Sequence, residues 1–370
     1  MRVLIAAAGT GGHINPGIAI ANKIKEEEPD SKILFIGTER GLEKDLVPRS
    51  GYKLKTINAY GIRRSFTLEN IKRFFKTMHS VKEVEAIINE FKPDVVIGTG
   101  GYVTVSVGKA AIKKKIPLFL HESNAFPGVA IKLLQKKATE IFVGFEDAKK
   151  RLPKAKKIKV TGTPTKVKKL DLSADEKRKI INEIGFTNNL PTVLAFGGSQ
   201  GAKSINESLF EIIKTKANNN YNLMWATGKD GFNTIKDEFA KVDININNIE
   251  NVKILPYIYN MEEVLNAVDL VIARSGAMTI TEISNAGVPA IFIPFPYAAE
   301  NHQEYNARVL VDRKAARLIL DKDLNAQKLH EEIELVIDND EKRIEMGKNA
   351  LEISKTDVLD NIYEEIVSNM

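Results

Sequence analysis

The chain of 370 residues is predicted to be an α/β protein made of two doubly wound halves, each a parallel sheet covered by helices on both faces. Apolar strand-like runs alternate with helix-periodic stretches almost from end to end. Two glycine loops, Ala8-Gly9-Thr10-Gly11-Gly12-His13 and Phe196-Gly197-Gly198-Ser199-Gln200-Gly201-Ala202, each separate a buried-strand pattern from a helix start. The halves also differ in charge. Residues 1–160 carry 30 Lys and Arg against 16 Asp and Glu, a net +14, and residues 161–370 carry 24 against 32, a net −8.

In the first half, strands are expected at Val3–Ala7, Lys32–Ile36, Asp94–Ile97, Pro117–Leu120 and Glu140–Val143. Helices fall near 15–27, 68–90, 104–114 and 128–137. The basic stretch Lys154–Lys159 holds one short strand and leads into Thr161-Gly162-Thr163-Pro164-Thr165, where Gly and Pro mark a boundary. The expected domains are therefore 1–162 and 163–354. In the second half, strands fit Thr192–Phe196, Asn222–Ala226, Val252–Leu255, Leu270–Ala273 and Ala290–Ile293. Helices fit near 175–184, 203–216, 261–267, 278–286 and 302–311, and a last helix, about Asp357–Asn369, has no strand after it. Parallel sheets of this kind gather ligands at the carboxyl ends of their strands, where both glycine loops stand, so the two halves are expected to face one cleft.

Composition narrows the class. Hydrophobic residues make up 43% and charged residues 28%, as in globular proteins. The absence of cysteine excludes disulfides, thiolate metal sites and cysteine nucleophiles, and fits a reducing cytosol. No apolar run approaches the ~20 residues of a membrane span. Met1–Ile5 runs straight into the glycine loop and reads as a strand rather than a signal peptide. The basic first half points to an anionic partner (acidic lipid, a phosphorylated substrate or nucleic acid) or to a solvated lysine-rich face. No nucleic-acid-binding module accompanies the charge.

Each glycine loop directs backbone N–H groups, at the positive end of a helix dipole, toward an anion or sugar oxygens. The first is not a dinucleotide fingerprint, since Ile14 stands where the third glycine belongs. The second has phosphate-loop spacing to Lys203-Ser204, but Ala202 replaces a glycine. His13, at a helix start, is placed to stay neutral and act as a base or touch substrate; a plain capping histidine is the alternative. Gly98-Thr99-Gly100-Gly101-Tyr102 and His121-Glu122-Ser123-Asn124 follow further strands, and their polar groups are expected at the same edge. In the second half, Arg274-Ser275-Gly276-Ala277-Met278-Thr279-Ile280-Thr281-Glu282 repeats the arrangement. Glu282 is suited to accept hydrogen bonds from both ribose hydroxyls, or simply to complement its helix dipole. Pro294-Phe295-Pro296 and Asn301-His302-Gln303 offer amides for sugar hydroxyls. No Asp-x-Asp cluster stands at a strand end, so no obligatory metal or cofactor is expected. In the helix from Leu68, the stripe of Ile71, Phe74, Phe75 and Met78 flanked by Lys72 and Arg73 is either core or an interfacial surface among anionic headgroups.

The motifs GTGGH (9–13), GTGGY (98–102), HESN (121–124), GGSQGA (197–202), SGAMTITE (275–282) and HQxxNA (302–307) together resemble the MurG family, in family order across nearly the whole chain. That resemblance implies a GT-B glycosyltransferase of two Rossmann-like domains, with the last helix, about 355–370, crossing back onto the first. It implies inverting transfer of N-acetylglucosamine from UDP-N-acetylglucosamine to lipid I, giving lipid II for peptidoglycan, at the cytoplasmic membrane face. The resemblance assigns the donor site to Ser199 at the diphosphate, the Ile258 backbone at uracil, Glu282 at ribose, and Ala277, Met278, Thr279, Ile280, Thr281 and Gln303 around sugar and phosphate. Lys166 stands where the family usually has Arg, keeping the charge but losing the planar fork. Thr10, Gly11, Gly12 and Asn124 complete the site from the acceptor side, with Gly100, Gly101, Tyr102, His121 and Glu122 around the acceptor and His13 as candidate base. A UDP-N-acetylglucosamine epimerase and a non-catalytic UDP-sugar sensor are the rival readings.

Overall fold

The computed structural model describes residues 1–59, 68–198, 201–298, 301–355 and 357–370; for 68–79 and 229–230 only the helical backbone is described. The chain forms two compact units, Met1–Thr165 with Asp357–Met370, and Lys166–Thr356. The first contains β1 (Arg2–Ala6), α1 (Gly11–Glu27), β2 (Lys32–Gly37), α2 (Glu43–Arg49), β3 (Lys53–Thr56), α3 (Leu68–Phe91), β4 (Val95–Gly98), α4 (Val103–Lys113), β5 (Leu118–Glu122), α5 (Val129–Leu134), β6 (Glu140–Val143), α6 (Glu146–Lys149) and β7 (Ile158–Val160). The second contains α7 (Ala174–Ile184), β8 (Thr192–Phe196), α8 (Lys203–Lys214), β9 (Asn222–Ala226), α9 (Lys229–Lys241), β10 (Val252–Leu255), α10 (Met261–Ala267), β11 (Leu270–Ala273), α11 (Ala277–Ala286), β12 (Ala290–Phe292), α12 (His302–Val311), β13 (Ala316–Leu318), α13 (Ala326–Ile337) and α14 (Asp340–Ile353). The last helix, α15 (Val358–Ser368), belongs to the first unit.

Both sheets are parallel. Their strand orders are β3-β2-β1-β4-β5-β6-β7 and β10-β9-β8-β11-β12-β13. Each order reverses direction once, between β1 and β4 and between β8 and β11, and at such a point the crossovers leave a crevice beyond the strand ends. The register sets Ile5 beside Phe35 and Ile97 in the first sheet, and Ile272 beside Ala195 and Ile291 in the second.

Strand alternation explains the core. On one face of β1, Leu4 and Ala6 pack with Val103 and Val107 of α4. On the other, Val3 and Ile5 pack with Ile14, Ile18 and Phe35, and with Val358, Ile362 and Ile366 of α15. Removing a side chain of this size from water contributes about 1.5–3 kcal/mol. Helix α15 has no strand of its own because its apolar stripe completes this face. Its polar side is clasped as well: Glu365 accepts from Lys157 at 2.5 Å and Lys159 at 2.9 Å, and these ammonium groups hold its carboxyl down at about 2. The second unit repeats the plan around Val193, Ala195, Trp225 and Ile272.

Several elements escaped the pattern reading. Strand β3 carries Lys53 and Lys55 and β13 is three residues long, and both lie at sheet edges where apolar runs are not needed. Helices α2 and α6 are short, and α9, α13 and α14 are amphipathic with polar outer faces.

Candidate functional site

The four helices that follow the switch-point strands share a property. α1, α4, α8 and α11 begin without an acidic residue in the first turn and without a side-chain cap. Helix α5, away from the switch points, also begins with neither, whereas α7 is closed by a Ser173–Glu176 capping box, and Asn325 and Asn339 cap α13 and α14. An uncapped start, at a typical cost of ~1 kcal/mol, leaves the positive end of the helix field available to an anionic ligand.

In the first unit, Gly9 takes φ +99°, which a side chain would strain. Its N–H is not open, as a bare glycine loop suggests: it donates to Glu43 Oε2 at 2.9 Å. Thr10 is the N-cap residue, and its carbonyl accepts from His13 N at 3.0 Å and Ile14 N at 3.2 Å. Among the described residues the amides of this turn with no hydrogen-bond partner are those of Thr10, Gly11 and Gly12. His13 is the third residue of α1, and its carbonyl accepts from Thr99 Oγ1 at 2.6 Å, which ties the turn to the loop after β4. Its imidazole lies against Gly100. Gly101, at φ +77°, packs its Cα over the Ala8 carbonyl. The Tyr102 hydroxyl lies 3.4 Å from Thr38 Oγ1.

The expectation that His121, Glu122, Ser123 and Asn124 all present polar groups at the edge needs correction. Strand β5 runs two residues past Leu120, so His121 and Glu122 are part of the sheet and buried. His121 Nε2 bonds the Gly162 carbonyl at 3.1 Å, and burial, chiefly, pushes the ring down to about 4, so it is neutral at pH 7. The Glu122 carboxylate accepts from Asn124 N and Nδ2 and from Gly128 N. It shapes the loop, and of the four only Asn124 is partly exposed.

In the second unit, Gly197 and Gly201 allow the β8–α8 turn to pass close to Ala202 and to the Thr227 carbonyl, and Gly201 N donates to Gly198 O at 2.9 Å. Ser199 lies outside the described residues, as do the side chains of Ile71, Lys72, Arg73, Phe74, Phe75 and Met78. Gly276 opens α11, which carries Ala277, Met278, Thr279, Ile280, Thr281 and Glu282; Ala277 and Ile280 are buried, and Thr281 Oγ1 turns back to the Ala277 carbonyl. Glu282 is half-buried. Burial first and its negative charge second raise the Tyr257 hydroxyl, so α11 and the Tyr257-Ile258-Tyr259 loop are neighbours. Ile258 buries its side chain, while Tyr257 and Tyr259 are exposed. Ser275 Oγ donates to the Gln303 carbonyl, and Gln303 Oε1 accepts from Phe295 N, which leaves the Gln303 NH₂ to donate elsewhere. Lys166 is exposed at the start of this unit.

Two clusters are built on partners that their sequence spacing does not indicate. Arg274 donates to the carbonyls of Ile293 and Pro294, to Asp321 and to Ser204 Oγ, joining the ends of β11 and β12 to the first turn of α8. Glu43 does the corresponding work in the first unit. Among the described residues no group of three or more His, Asp or Glu is arranged to hold a metal ion.

The glycosyltransferase family 28 N-terminal domain matches residues 3–143, and the family's C-terminal domain matches residues 192–362. A protein of Thermoanaerobacter sp., named UDP-N-acetylglucosamine–N-acetylmuramyl-(pentapeptide) pyrophosphoryl-undecaprenol N-acetylglucosamine transferase, is 44% identical over 368 residues, covering 100% of both chains. A protein of the same name from Caldanaerobacter subterraneus is 43% identical over 98% of both. The crystal structure of Acinetobacter baumannii MurG superposes with a TM-score of 0.77 at 26% identity, covering 99% of each chain. The chain belongs to the MurG family. Its fold is accordingly the GT-B type, with the family's glycine motifs at the switch point of each sheet. Five of the six MurG motifs fall at strand ends and the sixth, 302–307, lies in α12, whereas Glu43, Thr38, Asp321 and Ser204 lie outside all of them.

Proposed function

We propose that the chain is the inverting transferase that moves N-acetylglucosamine from UDP-N-acetylglucosamine to the C4 hydroxyl of the muramyl sugar of lipid I, releasing UDP and lipid II for peptidoglycan. The observation that carries this reading is full-length identity of 44% to a relative named for that transfer.

The second unit holds the donor. Departure of UDP places charge on the diphosphate, and the uncapped starts of α8 and α11, with Ser199, Ala277, Met278 and Thr279, meet it with N–H and O–H donors. Glu282 accepts from the ribose hydroxyls, the Ile258 backbone pairs with uracil, Gln303 donates to the sugar, and Lys166 adds a positive charge. The first unit holds the acceptor at Gly11, Gly12, Gly100, Gly101, Tyr102 and Asn124, while buried His121 and Glu122 support that loop. His13 takes the C4 hydroxyl proton as it attacks the anomeric carbon on the face opposite UDP. Amides and dipoles stabilise the leaving group, so turnover needs no metal. The enzyme works as a peripheral protein at the cytoplasmic membrane surface, where its polyprenyl-linked acceptor resides. No helix among the described residues is long and apolar enough to cross a membrane.

The direct test follows UDP release from UDP-N-acetylglucosamine with and without a lipid I analogue, in the presence and absence of EDTA. Release that depends on the acceptor and ignores EDTA is expected. Epimer formation without acceptor, or UDP binding with no release, would replace this reading.

A further inference from the structure

Glu43 belongs to no motif and is fully buried. A buried carboxylate needs its acceptor sites filled, and here they are filled by two segments. Oε1 accepts from Thr38 N and Thr38 Oγ1, each at 2.8 Å, and Oε2 accepts from Gly9 N at 2.9 Å. The neighbouring Leu42 N donates to Gly9 O at 3.2 Å, so residues 42 and 43 hold both polar groups of Gly9. The surroundings are shaped to the carboxylate: a Cβ on Gly41 would lie 2.6 Å from Glu43 Cδ, and one on Gly37 would lie 2.5 Å from Cγ. The Thr38 hydroxyl gives its proton to Glu43 and so can accept from the Tyr102 hydroxyl at 3.4 Å.

The connection to His13 is short. Gly9 precedes Thr10, whose carbonyl receives the His13 N–H, and the His13 ring rests on Gly100 in the loop that also carries Tyr102. We infer that Glu43 is a positioning residue: through Gly9 on one side and Thr38–Tyr102 on the other, its carboxylate fixes the two loops between which the His13 imidazole is set. Charge-assisted bonds of this kind are stronger than neutral ones and hold the Gly9 turn in a conformation that a free loop would share with many others. The inference rests on the reading of His13 as the base.

Glu43→Gln tests it without changing volume. A glutamine must turn its NH₂ toward either Gly9 N–H or the Thr38 amide, and two donors cannot bond each other. Glu43→Gln and the milder Thr38→Val are compared with wild type and His13→Gln, using kcat, the donor KM, thermal unfolding and the NMR resonances of the Gly9 amide and His13 ring. In Glu43→Gln, kcat is expected to fall about 10- to 100-fold with the donor KM within about twofold, the scale of a roughly 1 Å misplacement. The Gly9 and His13 resonances move and those of His330, on α13 of the second unit, do not; Thr38→Val shifts the same resonances by less. If Glu43→Gln is folded and both resonances stay in place, or if it turns over like wild type while His13→Gln is inactive, the positioning role is overturned and the functional reading stands. If His13→Gln turns over normally, the base assignment fails and takes the catalytic part of this inference with it.

Discussion

The His13 imidazole lies on the bare Cα of Gly100, where a methyl group would come within 2.7 Å of its Cε1 and 2.9 Å of its Cγ. Gly100 also holds φ +118°. Two independent constraints therefore require glycine at this position, one of space and one of backbone. Gly100→Ala is expected to displace the ring, lowering kcat by about 100-fold and stability by roughly 1–3 kcal/mol. Kinetics and urea unfolding measure the two effects separately, and an alanine variant of wild-type activity would show that the ring position is unimportant.

If His13 takes the acceptor proton, its removal costs what a general base usually supplies. His13→Ala is expected to lower kcat by about 100- to 10,000-fold with little change in UDP affinity. Calorimetric titration with UDP beside steady-state turnover distinguishes loss of chemistry from loss of binding; turnover near wild type would remove His13 from this role.

If Glu282 accepts from the ribose hydroxyls, its removal has the opposite signature. Glu282→Ala is expected to weaken UDP-N-acetylglucosamine binding by about 10- to 100-fold, as befits a lost charge-assisted pair of hydrogen bonds. The loss should be smaller for a 2′-deoxyuridine donor, which lacks one of the two hydroxyls. Equal donor affinity in the variant would refute the ribose contact.

His121 predicts a pH dependence of stability. Burial holds its folded value at about 4, below the ordinary 6.5. The unfolded chain therefore takes up the proton first, so stability declines as pH falls from 6.5 and the decline levels off below 4. The full contribution is about 3 kcal/mol. His121→Gln, which does not titrate but still reaches the Gly162 carbonyl, should show a flatter profile in urea melts across that window. Parallel profiles for the two proteins would assign the acid sensitivity to other groups.

Membrane docking through the helix at 68–91 is a proposal made from its sequence stripe alone. Phe74→Asp with Phe75→Asp is expected to reduce co-sedimentation with anionic vesicles and to leave UDP binding unchanged. Undiminished sedimentation would return the stripe to the core.

Much of this molecule is written in local pattern. Runs such as Val3–Ala7 and Leu270–Ala273 are continuous and apolar because strands covered on both faces have no wet side, and the glycine loops announce turns that admit no side chain. From these, the alternation, both sheets and the family could be read. The roles of Glu43 and Arg274 could not. Glu43 meets Gly9 across 34 positions of chain and Arg274 meets Asp321 across 47, and neither separation leaves a period or a spacing to detect. His121 shows the same limit from the other direction: its polarity pointed outward, and only the length of β5 and the nearby Gly162 carbonyl placed it inside. Apolar burial repeats along the chain and is therefore legible there, whereas satisfying a buried polar group depends on whatever distant segment the fold brings to it.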